Sequence, residues 1–170
     1  MGTGKDFSIA LLVISDRASA GIRADKCEVA LRQFFESKGY ALSHCAIVPD
    51  EADIIRTTLA EWADSGKFGL ILSAGGTGVS PRDVTPEATL PILEKLIPGI
   101  PEAMRAASLK ITDRAPLSRG HAGIRNRAMI VNLPGSPKAA VENLAAVFNA
   151  LIHGVEKARG DESECGVSLP

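Results

Sequence analysis

Four short apolar runs lie along the chain, and a loop rich in small and polar residues follows each of them. The first run, Ile9-Ala10-Leu11-Leu12-Val13-Ile14, contains no alternating polar position. Such continuity is typical of a strand that is buried on both faces of a sheet. The other runs cover residues 40–48, 68–72 and 128–131. The pattern therefore predicts four buried strands.

Amphipathic stretches separate these runs and predict helices. Residues 25–38 carry apolar side chains at helical spacing, with Asp25 and Glu28 placed as in a capping box and Gly39 placed to end the helix. A second helix is predicted after the Pro49-Asp50 turn, up to about Ser65-Gly66, with a buried stripe of Ile54, Ile55, Leu59 and Trp62.

Threonine or serine followed by proline is a favoured helix start. Thr85-Pro86 therefore predicts a helix that reaches Leu96, with Thr85 as its N-cap, and Ser136-Pro137 predicts a long helix to about residue 158. A further helix is expected from Pro101. Residues 115–127 form the least regular stretch.

Strands that alternate with helices of 10–15 residues indicate βαβ units. The sequence thus predicts an α/β fold with three α/β/α layers and a mostly parallel central sheet. We expect one domain over residues 1–160 and a mobile tail over residues 161–170, which have no apolar period.

Composition narrows the class of protein. The chain has 170 residues, 45% of them hydrophobic, and its 19 Lys and Arg nearly balance its 20 Asp and Glu. A net charge of −1 removes the electrostatic case for nucleic-acid binding. The chain shows neither a membrane span nor a signal peptide, and its three cysteines lack C-x-x-C spacing. We expect a cytoplasmic protein without nucleic-acid or membrane partners.

The segment Gly75-Gly76-Thr77-Gly78-Val79-Ser80-Pro81-Arg82-Asp83 is the strongest candidate for chemistry. Its glycines allow backbone N–H groups to approach an anion, its hydroxyls can donate, and Arg82 can neutralise phosphate charge. A tight turn that needs glycine for geometry alone explains the glycines about equally well. A dinucleotide fingerprint fails because Pro81 occupies the position of its third glycine.

Two acidic residues follow predicted strands and fall at the same edge of a parallel sheet. Asp50 and Asp83 together suit Mg²⁺, which is commonly held by carboxylates and phosphate oxygens. Asp50 also occupies the N-cap position of the next helix, so a capping role is an even alternative. Asp16 with Arg17 can likewise be an exposed ion pair, and Ser136 a simple cap.

Six motifs in order resemble one family. They are Ile14-Ser15-Asp16-Arg17, Gly75-Gly76-Thr77-Gly78, Arg82-Asp83-Val84-Thr85-Pro86-Glu87-Ala88, Pro98-Gly99 with Glu102-Ala103-Met104-Arg105, Leu117-Ser118-Arg119, and Asn132-Leu133-Pro134-Gly135-Ser136-Pro137. Together they resemble the molybdenum-cofactor proteins of the MogA/MoaB type, which are related to the G domain of gephyrin. The resemblance runs from about residue 8 to residue 155.

The resemblance implies a molybdopterin adenylyltransferase, which transfers AMP from Mg-ATP to the molybdopterin phosphate and releases pyrophosphate. It implies that Asp50 and Asp83 are catalytic and bind Mg²⁺. The implied molybdopterin and nucleotide residues are Ser15, Asp16, Arg17, Ser73, Gly75, Gly76, Thr77, Gly78, Ser80, Arg82, Ser108, Ser118, Asn132, Pro134, Gly135 and Ser136.

The family also implies a homotrimer, or a hexamer as in some MoaB-type members, and a partner protein that inserts molybdenum. The sequence leaves two alternatives to the enzyme open. One is a MoaB-type carrier that binds molybdopterin without turning over ATP. The other is an assembly protein with a vestigial site.

Overall fold

The computed structural model describes residues 7–162, which form one six-stranded sheet with helices on both faces. The strands are β1 (Ser8–Ile14), β2 (Leu42–Val48), β3 (Phe68–Ala74), β4 (Lys95–Leu96), β5 (Ala122–Arg125) and β6 (Ala128–Leu133). The helices are α1 (Asp16–Ser19), α2 (Cys27–Ser37), α3 (Ala52–Asp64), α4 (Thr85–Thr89), α5 (Gly99–Leu109) and α6 (Pro137–Ala158). Short 3₁₀ turns cover Leu90–Ile92 and Ala115–Leu117.

The strand order is β2-β1-β3-β6-β5-β4. The first four strands in this order are parallel, whereas β5 pairs antiparallel with both β6 and β4. The four predicted strands are therefore the parallel part of the sheet. The prediction of a mostly parallel, three-layer α/β fold is confirmed.

Alternate residues of the central strands pack into two hydrophobic cores, one on each face of the sheet. On one face, Leu11 and Val13 pack with residues of α2, α5 and α6. On the other face, Ala10 and Leu12 pack with residues of α3 and α4. Because both faces of β1 are covered, the run has no position for a polar side chain, which explains its continuous apolar character.

The predicted helix from Thr85 to Leu96 is wrong in its length. Helix α4 ends at Thr89, and β4 follows the 3₁₀ turn. Pro91 lies in that turn, and a proline cannot continue an α-helix because it lacks the N–H and clashes with the preceding turn. Thr85 does not act as a side-chain cap; its hydroxyl donates to the carbonyl of Gly75 at 2.8 Å.

The irregular stretch 115–127 contains the strand β5, which the sequence pattern does not predict. Asn126 turns the chain from β5 into β6 with a φ of 55°. The predicted apolar stripes are also too wide, since Val29 and Ile54 are exposed. These side chains border the buried stripes of α2 and α3, and sequence spacing alone does not fix where a stripe ends.

Helix α2 begins with half of the predicted capping box. The carboxylate of Asp25 accepts from the amides of Cys27 and Glu28 at 3.1 and 2.7 Å. Glu28 does not reach back to complete the box, because its carboxylate pairs with Arg32 at 2.7 Å. Ser136 precedes α6 but makes no side-chain cap bond.

Within residues 7–162, no helix has the length and apolar character that a bilayer span requires. The tail predicted at 161–170 lies outside the described residues from position 163 onward.

Candidate functional site

The carboxyl ends of four parallel strands meet at one edge of the sheet, where the predicted site residues lie. The Ser15 amide donates to Val48 O at 2.9 Å, which joins the ends of β1 and β2. The Gly75 amide donates to Leu133 O at 3.1 Å, which joins the ends of β3 and β6. The convergence expected for an open parallel sheet is therefore present.

The glycine loop, residues 75–78, makes backbone approaches that a side chain would block. Gly75 and Gly76 have φ values of 116° and 62°. A Cβ on Gly75 would lie against the carbonyl oxygen of Ile14, and one on Gly76 would overlap the Thr85 hydroxyl. The turn interpretation is correct for these two glycines, and the same turn exposes the loop to the cavities described below.

Asp50 is held beside this loop by a reciprocal pair of hydrogen bonds. The Asp16 amide donates to Asp50 Oδ2 at 2.8 Å, and the Asp50 amide donates to Asp16 Oδ1 at 3.0 Å. Burial raises the pKa of Asp50 above its ordinary value, and the bond from the Asp16 amide acts in the opposite direction. Glu51, not Asp50, occupies the N-cap position of α3, so the capping alternative for Asp50 is wrong.

Asp83 lies beside Gly78, at the end of the same loop. Its Oδ2 accepts from the Ser80 amide at 2.8 Å and would lie 2.8 Å from a Cβ on Gly78. Asp50 and Asp83 share one feature: one carboxylate oxygen accepts a backbone N–H, while Oδ1 accepts no hydrogen bond from any described residue. Two carboxylates are thus oriented by the backbone, each with an oxygen left for a ligand.

Arg82, predicted to face phosphate, is paired with carboxylates in this structure. Its guanidinium donates to both oxygens of Asp16 at 3.0 Å and to Glu51 at 2.9 Å. This hydrogen bonding lowers the pKa of Asp16. The partners are about half exposed, and exposed ion pairs contribute little to stability. The main effect of these ion pairs is therefore to hold the 80–83 turn against the segments that follow β1 and β2. Their contribution to the stability of the fold is small.

Ser73 and Asn132 lie beneath the site. Both are buried, and Asn132 Nδ2 donates to Ser73 Oγ at 2.8 Å and to Thr89 Oγ1 at 3.0 Å. Asn132 Oδ1 accepts from the His121 amide at 2.9 Å. This satisfied network joins β3, β6 and α4 under the glycine loop, so these two predicted binding residues support the loop from below.

Three adjoining cavities extend in a row from the glycine loop. The first cavity, about 260 Å³, is lined by residues that include Ser15, Asp50, Asp83, Arg23 and Lys26. The second, about 400 Å³, shares its Gly76, Asp83 and Gly135 wall with the first. The third, about 160 Å³, shares its Arg114, Ser118 and Pro134 wall with the second. Together they make one groove along the carboxyl edge of the sheet.

The predicted residues distribute along this groove. Thr77, Gly78, Ser118, Pro134 and Gly135 line the second cavity, and Ser108 lines the third, where its hydroxyl accepts from Asn143 Nδ2 at 2.7 Å. The others lie around the groove with exposed or half-exposed side chains, in α1 for Asp16 and Arg17 and on loops for Ser80, Arg82 and Ser136.

Residues 10–153 match a family model described as "Probable molybdopterin binding domain". The chain belongs to this family. It is 42% identical over 157 residues to the molybdopterin adenylyltransferase of Helicobacter pylori strain J99, covering 90% of this chain and 88% of that protein. It is 42% identical over 156 residues to the Escherichia coli K12 enzyme of the same name, covering 86% and 78%.

A solved structure carries the same fold. The molybdopterin biosynthesis enzyme MoaB from Thermus thermophilus superimposes with a TM-score of 0.85 at 42% identity, covering 91% of this chain and 98% of that one. The family resemblance in the sequence motifs is confirmed.

Several residues that line the groove of this family member are not among those that the sequence pattern singles out. Arg23 and Lys26 line the first cavity. Arg23 had a signal, because it is a cation in the loop that follows the first predicted strand, whereas Lys26 falls within the predicted helix 25–38. Arg114 lines the second and third cavities and had no comparable signal, since it lies far from any strand end.

Arg119 stands out in the sequence only as part of a motif, and the structure makes it the clamp of the glycine loop. Its Nε donates to Gly78 O at 2.7 Å, its Nη2 to Asp83 O at 2.8 Å, and its Nη1 to the carboxylate of Glu87. Its amide also donates to Thr77 O at 2.9 Å. One side chain therefore ties both ends of the 78–83 segment to α4.

Arg119→Met is expected to lower the free energy of unfolding by about 2 kcal/mol, because it removes charged hydrogen bonds from two loop carbonyls. Arg127→Met, at an exposed hairpin position, is the matched control and should change it by less than about 0.5 kcal/mol. Urea denaturation of both variants measures the difference. Equal midpoints for the two variants would show that Arg119 is no clamp.

Proposed function

We propose that this chain is a molybdopterin adenylyltransferase, which transfers AMP from Mg-ATP to the phosphate of molybdopterin. The observation that carries the proposal is that Asp50 and Asp83 both lie beside the glycine loop and line the first cavity, and that Oδ1 of each accepts no hydrogen bond from a described residue. The names of the relatives at 42% identity support the same reaction.

The reaction joins two anions, so its barrier is mainly one of position and charge. A phosphate oxygen of molybdopterin attacks the α-phosphorus of ATP and forms a P–O bond. The bond from that phosphorus to the bridging oxygen breaks, and its electron pair leaves with pyrophosphate. No covalent nucleophile from the protein is required, and holding the reactants in line supplies much of the rate.

The two aspartates are suitable ligands for a Mg²⁺ ion that is bound to ATP. Mg²⁺ prefers oxygen ligands and is usually held by one or two carboxylates together with substrate phosphates. Within residues 7–162, no group of three His, Cys, Asp or Glu side chains could hold a metal by itself. Asp50 and Asp83 would therefore hold the ion jointly with ATP, and its charge would offset the charge that develops on the phosphates.

The groove has room for both substrates. We assign the triphosphate to the first cavity, next to Asp50, and the pterin to the second and third cavities, near Ser118 and Ser108. The wall shared by the first two cavities contains Gly76 and Asp83, and there the two phosphates would meet.

The purified protein, incubated with molybdopterin and Mg-ATP, should yield adenylylated molybdopterin and one equivalent of pyrophosphate. Chromatography of the pterin and an enzymatic pyrophosphate assay measure the two products. Omission of molybdopterin and addition of a chelator are the controls, and both should abolish product. Tight molybdopterin binding without adduct would contradict the enzyme and leave the MoaB-type carrier.

We also propose that residues 1–160 act as one domain, that the chain forms homotrimers in the cytoplasm, and that a molybdenum-insertion protein receives its product. The family resemblance supports these proposals. A separate cavity of about 400 Å³ beside the edge strand β4, lined by Leu90, Leu96, Pro98 and Pro101 among others, offers an apolar surface for subunit contact.

A further inference from the structure

The first cavity carries opposite charges on its lining. Asp50 and Asp83 contribute carboxylates, while Arg23 and Lys26 come from the loop between α1 and α2. Arg23 and Lys26 line the first cavity and are absent from the linings of the second and third. A ligand that fills this cavity therefore meets acidic groups on one part of its surface and basic groups on another.

The two cations are free of ion pairs within residues 7–162, unlike most charged groups around them. Asp16 and Glu51 pair with Arg82, and Glu28 pairs with Arg32. Asp25 is engaged at the start of α2, where its carboxylate accepts two amides. Burial raises the pKa of the Cys27 thiol to about 11, so no thiolate competes for the cations at neutral pH.

The backbone fixes the loop that presents these cations. The amides of Ile22 and Arg23 donate to Arg17 O at 2.9 and 3.2 Å. Asp25 anchors the far end of the loop, directly before Lys26. Because Asp25 already covers the first amides of α2, the side chains of Arg23 and Lys26, and not the helix start, are the donors available to an anion.

We propose that Arg23 and Lys26 bind the β- and γ-phosphates of ATP and hold the departing pyrophosphate. The inference rests on the proposed adenylyl transfer and extends it to the leaving group. Phosphoryl-type transfer places the attacking and leaving oxygens on opposite sides of phosphorus. The acceptor phosphate arrives from the second cavity through the Gly76–Asp83 wall, so the diphosphate leaves into the part of the first cavity that the second does not share.

The chemistry of the two side chains suits this role. Pyrophosphate takes up the electron pair of the broken bond and gains negative charge as it departs. Arg offers a planar fork of donors to phosphate oxygens, and Lys offers a compact charge. Both interactions strengthen as that charge develops, which is the condition for accelerating the step.

Binding of inorganic pyrophosphate with Mg²⁺ tests the proposal directly by isothermal titration calorimetry. Arg23→Gln and Lys26→Gln should each weaken this binding about tenfold or more, and AMP, which lacks the diphosphate, should bind within about twofold of wild type. Arg127→Gln and Lys67→Gln remove exposed cations elsewhere and should leave pyrophosphate binding unchanged.

The outcomes separate this site from the transferase itself. Wild-type affinity for pyrophosphate in both cavity variants would overturn the inference, as would an equal loss of AMP binding or an equal effect in the control variants. A wild-type protein that binds no pyrophosphate would overturn it as well. If the variants lose pyrophosphate while the wild type makes no adenylylated pterin, the diphosphate site stands and the proposed function falls.

Discussion

Asp83→Asn is expected to reduce adenylyl transfer by roughly 100-fold or more while the fold is retained. The amide oxygen of asparagine can still accept from the Ser80 amide, so the 80–83 turn keeps its 2.8 Å bond. The charge beside the glycine loop is lost, and removal of one preorganised electrostatic group costs about 100- to 1000-fold in rate. Product formation at saturating Mg-ATP measures the loss.

Asp113→Asn is the matched control, because it removes the same charge from an exposed loop position. It should retain full activity. Asp50→Asn should resemble Asp83→Asn, since asparagine can also accept from the Asp16 amide. Thermal melts of all three variants establish that they fold. An Asp83→Asn protein with more than about a third of wild-type activity contradicts a catalytic role for this carboxylate.

Gly75→Ala is expected to destabilise the protein by about 2–6 kcal/mol and to abolish transfer. Its φ of 116° strains any L side chain, at a cost of about 1–3 kcal/mol. The new Cβ also meets the backbone carbonyl of Ile14, which cannot rotate away, and forced overpacking costs a further 1–3 kcal/mol or so. For a domain of this size, we expect the melting temperature to fall by roughly 10 °C.

Gly99→Ala provides the comparison within the same chain. Gly99 begins α5, and a Cβ there meets nothing within 4 Å. Alanine should stabilise the protein slightly, by up to about 1 kcal/mol, because it restricts the unfolded chain at a helical position. Calorimetric melts of both variants measure the contrast. Similar melting temperatures would show that the Gly75 approach to Ile14 relaxes easily.

The pattern of the chain predicted the parallel strands because a strand covered on both faces has only apolar positions. β1, β3 and β6 were recognisable for this reason. The β4–β5 edge escaped prediction because both strands are short and antiparallel, and β4 lies far from β5 in the sequence. Helix α4 is shorter than predicted because its apolar pattern continues past Pro91, where the α-helix itself cannot.

The candidate site, like the fold, was predictable from the sequence only in part. Gly75, Asp50 and Asp83 follow strands, and the carboxyl ends of parallel strands meet wherever they fall in the sequence. The sequence did not indicate how deeply a polar residue of these strands is buried. Ser73 and Asn132 also come from these strands, yet they are buried beneath the loop. A strand that is covered on both faces does not alternate between apolar and polar residues, so its sequence does not show which side chain reaches the groove.

The sequence by itself determined the layered α/β fold, the family, the edge of the sheet at which the candidate site lies, and the two acidic residues of that candidate site. These follow from local order along the chain: apolar continuity, strand–helix alternation, and motifs in series. Only the tertiary structure decided how charges are shared. It paired Arg82 with Asp16 and Glu51, made Arg119 the clamp of the glycine loop, and left Arg23 and Lys26 unpaired within the described residues. These side-chain pairs depend on distances between segments that are far apart in the sequence, and those distances cannot be inferred from the order of the residues alone.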